Sequence, residues 1–260
     1  MSKQTKTTLA ALLATSVAAF AGTSTKNVKP TEKEALISGL LGVEVSSAFI
    51  NKGRLFDSNA VFQPFAAVII PTKLELGGVR VAVVGATKQN LHIQEPLKTW
   101  ARSEVNAGLS LNKDRFTLVS TYEWVTSSNN SYRDSQGVNT TFSFDDIGLS
   151  PIALKPHARA YFGTKEGFEP NANYYEVGIA PSTAVYNTEV SFPVNLGVGS
   201  KGFYKNDAKY GYTSVGINTC TPIRENVALT AGVTYFNTSD KINNGNKDLW
   251  LTSAGLVVKF

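Results

Sequence analysis

The chain has 260 residues, a formal charge of +5 and only 17% charged residues, and this modest basic excess does not point to nucleic acid as a partner. The single cysteine, Cys220, excludes an intramolecular disulfide framework. The composition is rich in Thr, Ser, Val, Tyr, Asn and Gly, which favours strands and turns over helices.

The first 21 residues have the features of a secretory signal peptide. Lys3 and Lys6 precede a short apolar run from Thr8 to Phe20, and Ala19-Phe20-Ala21 forms a small-residue cleavage site. The run is too short for a membrane-spanning helix. We therefore expect cleavage after Ala21 and export of the mature chain, with an uncleaved N-terminal anchor as the alternative.

No apolar run after Phe20 approaches the length of a membrane helix. We expect a lead-in over residues 22–38 and one domain over 39–260. In that domain, twelve segments alternate apolar and polar residues and are separated by turn residues. Most have roughly nine to fourteen residues, which suits tilted transmembrane strands better than the strands of soluble sheets. The segments are 39–50, 59–70, 76–87, 97–111, 115–126, 138–148, 156–164, 172–181, 186–198, 210–220, 225–237 and 248–260.

The connections between these segments alternate between long and short. Short periplasmic turns and longer external loops are typical of outer-membrane barrels. If the N-terminus is periplasmic, the predicted external loops are 51–58, 88–96, 127–137, 165–171, 199–209 and 238–247. The sequence thus predicts an all-β fold, an antiparallel transmembrane β-barrel of about 12 strands.

Most segments have one apolar and one polar face. In the eighth segment, Tyr175, Val177 and Ile179 oppose Glu176 and Gly178. A soluble β-sandwich shows the same period of two. Polar faces rich in Gly, Ser, Asn and Thr, together with the export signal, favour a barrel that turns its apolar face to outer-membrane lipid.

The last segment supports the same interpretation. Leu256, Val258 and Phe260 share one face, and the final residue is aromatic. The spacing of Gly255, Val258 and Phe260 resembles the C-terminal signal that the barrel assembly machinery binds. A soluble strand that happens to end in Phe is the alternative.

Alternation also predicts which charged residues face the lumen, because a cation facing lipid at the bilayer midplane costs about 2–4 kcal/mol. We expect Arg159 to pair with Glu176, and Arg80 with Glu104. The set forms either a salt-bridged network that fills the barrel or an eyelet that selects solutes by charge. Its members are Glu44, Arg80, Arg102, Glu104, Arg159, Glu176, Glu189 and Lys259.

Catalysis and cofactor binding are not predicted. A Ser–His site would have to use His92, expected in an external loop, or His157, expected at a strand start, and neither lies in a nucleophile motif. The stretch 197–202 lacks the spacer and helix of a phosphate loop. Metal-site spacing is absent from the sequence, and Asp145-Asp146 are expected to be solvated. We expect no enzyme activity, no cofactor and no metal.

Several stretches resemble the TorF-type porins, a group of bacterial outer-membrane proteins, over most of residues 37–260. The resemblance implies a channel-like barrel and assigns no solute-binding residue. The stretches are Ser47–Arg54, Phe62-Gln63-Pro64, Tyr174–Gly178, Phe192-Pro193-Val194, Leu196-Gly197, Tyr210-Gly211-Tyr212, Ser214–Gly216, Ala231–Tyr235 and Phe260.

The predicted function is passive diffusion of small polar solutes through the bacterial outer membrane. The alternatives are a closed structural or adhesive barrel whose external loops bind a partner, and an integral membrane enzyme. Large paired side chains in the lumen would indicate the closed barrel, and small ones along a continuous path would indicate an open pore.

Overall fold

A computed structural model describes residues 37–94, 101–127, 134–149, 152–165, 172–204 and 208–260. The predicted signal peptide, nearly all of the lead-in and parts of the predicted loops lie outside the described residues. In the part of the chain that is described, no helix is long and apolar enough to span a membrane.

The described residues form sixteen strands, all in antiparallel pairs. They are β1 (Ser38–Ser46), β2 (Phe49–Asn51), β3 (Arg54–Asp57), β4 (Val61–Leu76), β5 (Val79–His92), β6 (Ala101–Lys113), β7 (Phe116–Ser127), β8 (Ser135–Phe144), β9 (His157–Lys165), β10 (Asn173–Ile179), β11 (Ser182–Val185), β12 (Thr188–Ser191), β13 (Val194–Gly199), β14 (Tyr210–Arg224), β15 (Val227–Thr238) and β16 (Asp248–Lys259).

Fourteen of these strands build a closed barrel with twelve wall positions, which confirms the predicted fold class. β10 and β11 share one position, and β12 and β13 share the next, because both β12 and β13 pair with β14. β14, β15 and β16 follow in order, and β16 pairs with β1 to close the ring. β2 and β3 pair only with each other.

Two prolines explain the interrupted wall strands. Proline has no N–H to donate to a neighbouring strand. Pro181 separates β10 from β11, and Pro193 separates β12 from β13. Their carbonyls still accept bonds from the N–H groups of Phe192 (2.8 Å) and Gly216 (2.9 Å), so the wall stays continuous across both breaks.

The first and last wall strands close tightly on one another. The backbones of Gly39 and Phe260 exchange two hydrogen bonds of 3.0 and 3.1 Å. The Phe260 ring covers Gly39, where an added Cβ would lie 2.5 Å from the ring. Gly255 is packed as closely, because a Cβ there would lie 2.6 Å from the Val43 carbonyl oxygen. Val258 lies opposite Leu41 in the same pairing.

The wall is apolar outside and largely polar inside, the reverse of a soluble sandwich. In β6, Val105 and Leu109 face outward and are exposed, whereas Arg102, Glu104 and Asn106 face inward and are at most 6% exposed. The same alternation runs through most wall strands. A soluble protein would bury the apolar set, so this wall is built for an apolar surrounding.

One side of the interior is apolar as well, which the sequence did not predict. Inward-facing residues from β16, β1, β4, β5 and β7 form a buried cluster towards the end where β1 begins. The cluster consists of Leu40, Phe65, Ala67, Ile69, Ala82, Val84, Val119 and Val257.

Two predicted boundaries are wrong in ways that matter for the lumen. The first predicted strand extends to residue 50, but β1 ends at Ser46 because the chain then turns into the barrel. The predicted loop 88–96 begins inside β5, where Lys88, Asn90 and His92 are buried and alternate with Gln89 and Leu91. These polar residues face the lumen, and a strand end made of such residues has the composition of a loop.

Candidate functional site: a hairpin across a charged lumen

The hairpin β2–β3 occupies the interior of the barrel. Its two-residue turn, Lys52-Gly53, has positive φ at both positions (52° and 78°), as tight hairpins require. Gly53 faces the ring of Tyr212 on β14, where an added Cβ would lie 2.5 Å from Cδ1. Glycine is therefore required there both for its backbone conformation and for space.

Asp57 anchors the base of the hairpin to the barrel wall. Its carboxylate contacts Nδ1 of His92 at the end of β5, and both side chains are almost completely buried. The ring of Phe49 lies 5.2 Å from that of Phe56 and 6.0 Å from the His92 ring, centroid to centroid. The Arg102 guanidinium lies over both phenylalanine rings. The base is thus held by the Asp57–His92 contact and by packing.

The tip of the hairpin reaches the far side of the barrel. Lys52 Nζ lies 3.6 Å from Glu123 Oε1 on β7 and 3.8 Å from the ring centroid of Tyr161 on β9. β7 and β9 hold the fifth and seventh of the twelve wall positions, counted from β1. The hairpin starts between the first two positions, so it spans the lumen.

Residues between β13 and β14 and between β15 and β16 hold the tip of the hairpin from its other side. Asn243, between β15 and β16, donates from Nδ2 to the Gly53 carbonyl (3.0 Å) and accepts from the Leu55 N–H (2.9 Å). The Tyr204 hydroxyl donates to the Lys52 carbonyl (2.9 Å). The Arg54 guanidinium lies 5.1 Å from the ring centroid of Phe203. Wall and loops together fix the position of Lys52.

Burial changes the acid–base properties of Lys52. Desolvation inside the barrel lowers the pKa of its ammonium to about 8, and attraction to Glu123 offsets part of that decrease. Lys52 therefore remains mostly protonated at neutral pH, against the wall opposite the base of the hairpin.

A belt of charged side chains surrounds the tip of the hairpin. Five of the eight predicted lumen residues belong to it: Glu44, Arg102, Glu104, Arg159 and Glu176, all buried on the inner face.

Arg102 Nη1 lies 2.6 Å from Glu104 Oε1. Arg159 lies directly opposite Glu176 in the β9–β10 register and interacts with it electrostatically, and its Nε donates to Asn139 Oδ1 (2.9 Å). The hydroxyl of Tyr174 donates to Glu176 (2.5 Å), as does that of Tyr212.

The other three predicted residues lie away from the belt. Glu189 accepts a 2.9 Å bond from Lys155, and the half-buried Lys259 interacts electrostatically with it. Arg80 is exposed near the turn between β4 and β5, on the inward face of β5 and opposite Asn112.

The predicted pairing of Arg80 with Glu104 is wrong. Asn112 is eight residues beyond Glu104 on β6, about 27 Å along an extended strand. Glu104 instead lies opposite Lys88 and pairs with Arg102. Alternation assigned the face of each residue, but the register between strands decided its partner.

Sequence reasoning missed three belt residues: Lys52, Lys88 and Glu123. Lys52 and Lys88 were assigned to external loops. Glu123 is buried and alternates with Tyr122 and Trp124, so the period of two could have identified it. The position of Lys52 depends on an inward-folded hairpin, which no local pattern predicts.

The two histidines are the candidate catalytic groups of the sequence. His92 contacts Asp57 in the hairpin base. The His157 ring lies over Gly178, with Nε2 3.1 Å from Asn195 Oδ1 on β13. Ser143 is opposite His157 on β8, the neighbouring strand on the other side. The ring therefore leans away from that hydroxyl. Among the described residues, no group of three or more His, Cys, Asp or Glu side chains is placed to hold a metal ion.

Comparison with known proteins gives matches among solved structures only. No protein-family model matches the chain, and no curated protein matches it. The resemblance to the TorF-type porins therefore stays a prediction. Among solved structures, the chain is similar to the NanC porin (14% identity, 85% of this chain and 98% of that one, TM-score 0.48). It is also similar to outer membrane phospholipase A from Escherichia coli (9% identity, 85% and 92%, TM-score 0.47).

One structural match with a TM-score above 0.5 is an outer membrane channel from Pseudomonas putida. It has a TM-score of 0.57 at 10% identity, and the match covers 90% of this chain and 100% of that one. At this identity the likeness shows the fold alone. The chain has the closed antiparallel barrel fold of outer-membrane proteins.

Proposed function

We propose that the protein is an outer-membrane channel through which small polar solutes diffuse passively, and that the β2–β3 hairpin forms its constriction. The observation that supports this proposal is a buried belt of charged side chains inside a closed barrel with an apolar exterior. An apolar exterior suits lipid, and a polar interior suits water and polar solutes. We further propose export with residues 1–21 as the signal peptide and insertion by the barrel assembly machinery.

Aromatic residues on the outer surface support the membrane position. Trp124 and Phe116 lie on one face of β7, eight residues apart. That separation corresponds to roughly 20 Å along the membrane normal for a tilted strand, close to the height of an outer-membrane apolar band. The ring of Phe162 packs against that of Tyr175 near the end of the barrel where Trp124 lies. The ring of Phe142 stacks on that of Phe116 near the other end. Two aromatic girdles would result.

A closed barrel whose external loops bind a partner is the second candidate. One cavity beside the hairpin, of about 20 Å³ and lined by Lys52, Arg102, Glu123 and Tyr161 among others, has room for a single water. The apolar cluster also narrows one side of the interior.

Planar-bilayer recording separates the two candidates. Ser46 and Val61 are direct register partners, so residues 48–59 can be replaced by Asn-Gly, a two-residue hairpin turn, while the wall is preserved. We call this protein the hairpin-replaced variant. Discrete conductance steps from the wild type, and swelling of liposomes in small sugars, are the expected results. A silent wild type together with a conducting variant would favour the closed barrel.

A further inference from the structure

The charges that line the described belt are unbalanced without the hairpin. The wall contributes three cations and four carboxylates. Every one of them is buried and lies on the inner face of its strand. The cations are Lys88, Arg102 and Arg159, and the carboxylates are Glu44, Glu104, Glu123 and Glu176.

In the hairpin, Asp57 offsets the charge of Arg54, so Lys52 supplies the positive charge that balances the wall. It interacts electrostatically with Glu123 and Glu104, and with the cations Arg102 and Arg159. Its ammonium lies where the hairpin meets the opposite wall and lines the cavity beside the hairpin together with Arg102 and Glu123, so an ion that passes the hairpin on that side meets it. Fixed charges at a narrow point of a pore set its ion selectivity.

We infer that Lys52 is the selectivity-determining residue of the channel: its ammonium cancels the net negative charge of the wall and keeps the pore nearly non-selective between small cations and anions. This inference rests on the proposed channel function. Loss of the charge at position 52 leaves an anionic constriction that favours cations.

The test is the reversal potential in a KCl gradient across a planar bilayer. Lys52→Gln should raise the ratio of potassium to chloride permeability severalfold, and Lys52→Glu should raise it further. Lys113→Gln removes the same charge from an exposed position next to the β6–β7 turn and should leave the ratio unchanged. Each variant is first checked for folding by the difference in gel migration between unboiled and boiled samples.

A double substitution separates charge balance from structural damage. Lys52→Gln combined with Glu123→Gln leaves three cations and three carboxylates, so the permeability ratio should return towards the wild-type value. A merely structural role for Lys52 gives no such rescue.

Every outcome bears on the inference. If the wild type conducts and Lys52→Gln behaves like Lys113→Gln, the inference is overturned and the channel function stands. If only the hairpin-replaced variant conducts, Lys52 closes the pore rather than selecting ions, and the inference is again overturned. If neither the wild type nor that variant conducts, both the proposed channel function and the inference are overturned.

Discussion

At the scale of single residues, the proposed role of Lys52 predicts an ion selectivity that depends on pH. Its depressed pKa of about 8 means that the ammonium is charged at pH 7 and mostly neutral at pH 9. Glu123 on β7, Arg102 and Glu104 on β6, and Arg159 on β9 interact with it electrostatically. The rings of Tyr161 and Tyr174 also face it.

Because the wall alone is net negative, the wild-type channel should become cation-selective as pH rises from 7 to 9. Reversal potentials measured across this range check the prediction. Lys52→Gln should already be cation-selective at pH 7 and change little. A wild-type potential that stays constant to pH 9 would contradict the assignment of the titrating charge to Lys52.

The Asp57–His92 pair gives a second prediction at this scale. Asp57→Asn removes a buried charge from the base of the hairpin, which we expect to weaken its attachment by about 1–3 kcal/mol. Lys52 and Arg54 are trypsin sites hidden inside the barrel, so cleavage after them should become faster. Mass spectrometry of the fragments measures this. Asp114→Asn, in the exposed β6–β7 turn, is the matched control, and equal cleavage of the two variants would count against the anchor.

At the residue scale, the sequence predicts which face of its strand a residue lies on, but not which residue of the neighbouring strand it contacts. Arg102, Glu104, Arg159 and Glu176 lie on the inner face because the period of two assigns a face to each residue of a strand. The predicted partner of Arg80 was wrong because pairing depends on the register between two strands, and the residue pattern of a single strand carries no information on that register.

At the scale of elements, barrel closure depends on the pairing of β1 with β16. Gly39 packs under the Phe260 ring, and an added Cβ would also lie 2.6 Å from the backbone carbonyl of Ala67. Gly39→Ala should therefore destabilise the barrel by about 1–3 kcal/mol, because the backbone cannot move aside without disturbing the closure.

Urea unfolding in detergent, followed by gel migration of unboiled samples, measures the effect of Gly39→Ala. Gly85→Ala is the control, since a Cβ there meets only ordinary contacts, the nearest being Val68 Cγ2 at 3.5 Å. If both variants unfold at the same urea concentration, Gly39 is not critical for closure.

The sequence predicted the twelve wall positions because each wall strand carries its own alternation. It predicted neither the extension of β4 to Leu76 and of β5 to His92 nor the inward path of β2–β3. The hairpin is short and polar at its turn, so it has the composition of an external loop. Its inward position comes from Asp57, Lys52 and Asn243 contacts that join residues far apart in the chain.

At the scale of the whole molecule, the arrangement of polarity decides between a sandwich and a membrane barrel. Twelve wall positions close with the charged belt inside and exposed Val, Leu, Ile and Phe outside. A sandwich needs the opposite arrangement. The interior is not uniformly polar, because the apolar cluster around Leu40 and Ile69 fills part of it. The period of two places Leu40 on the same face as Glu44, but it does not show that residues of neighbouring strands meet there to form a cluster.

The central claim is that the barrel conducts and that the β2–β3 hairpin is its constriction. Single-channel conductance of the wild type and of the hairpin-replaced variant, recorded in the same bilayers, tests it most directly. We predict discrete steps from both proteins and larger steps from the variant, because it lacks the segment that spans the lumen. Equal steps would contradict the role of the hairpin, and the absence of steps from both folded proteins would contradict the channel itself.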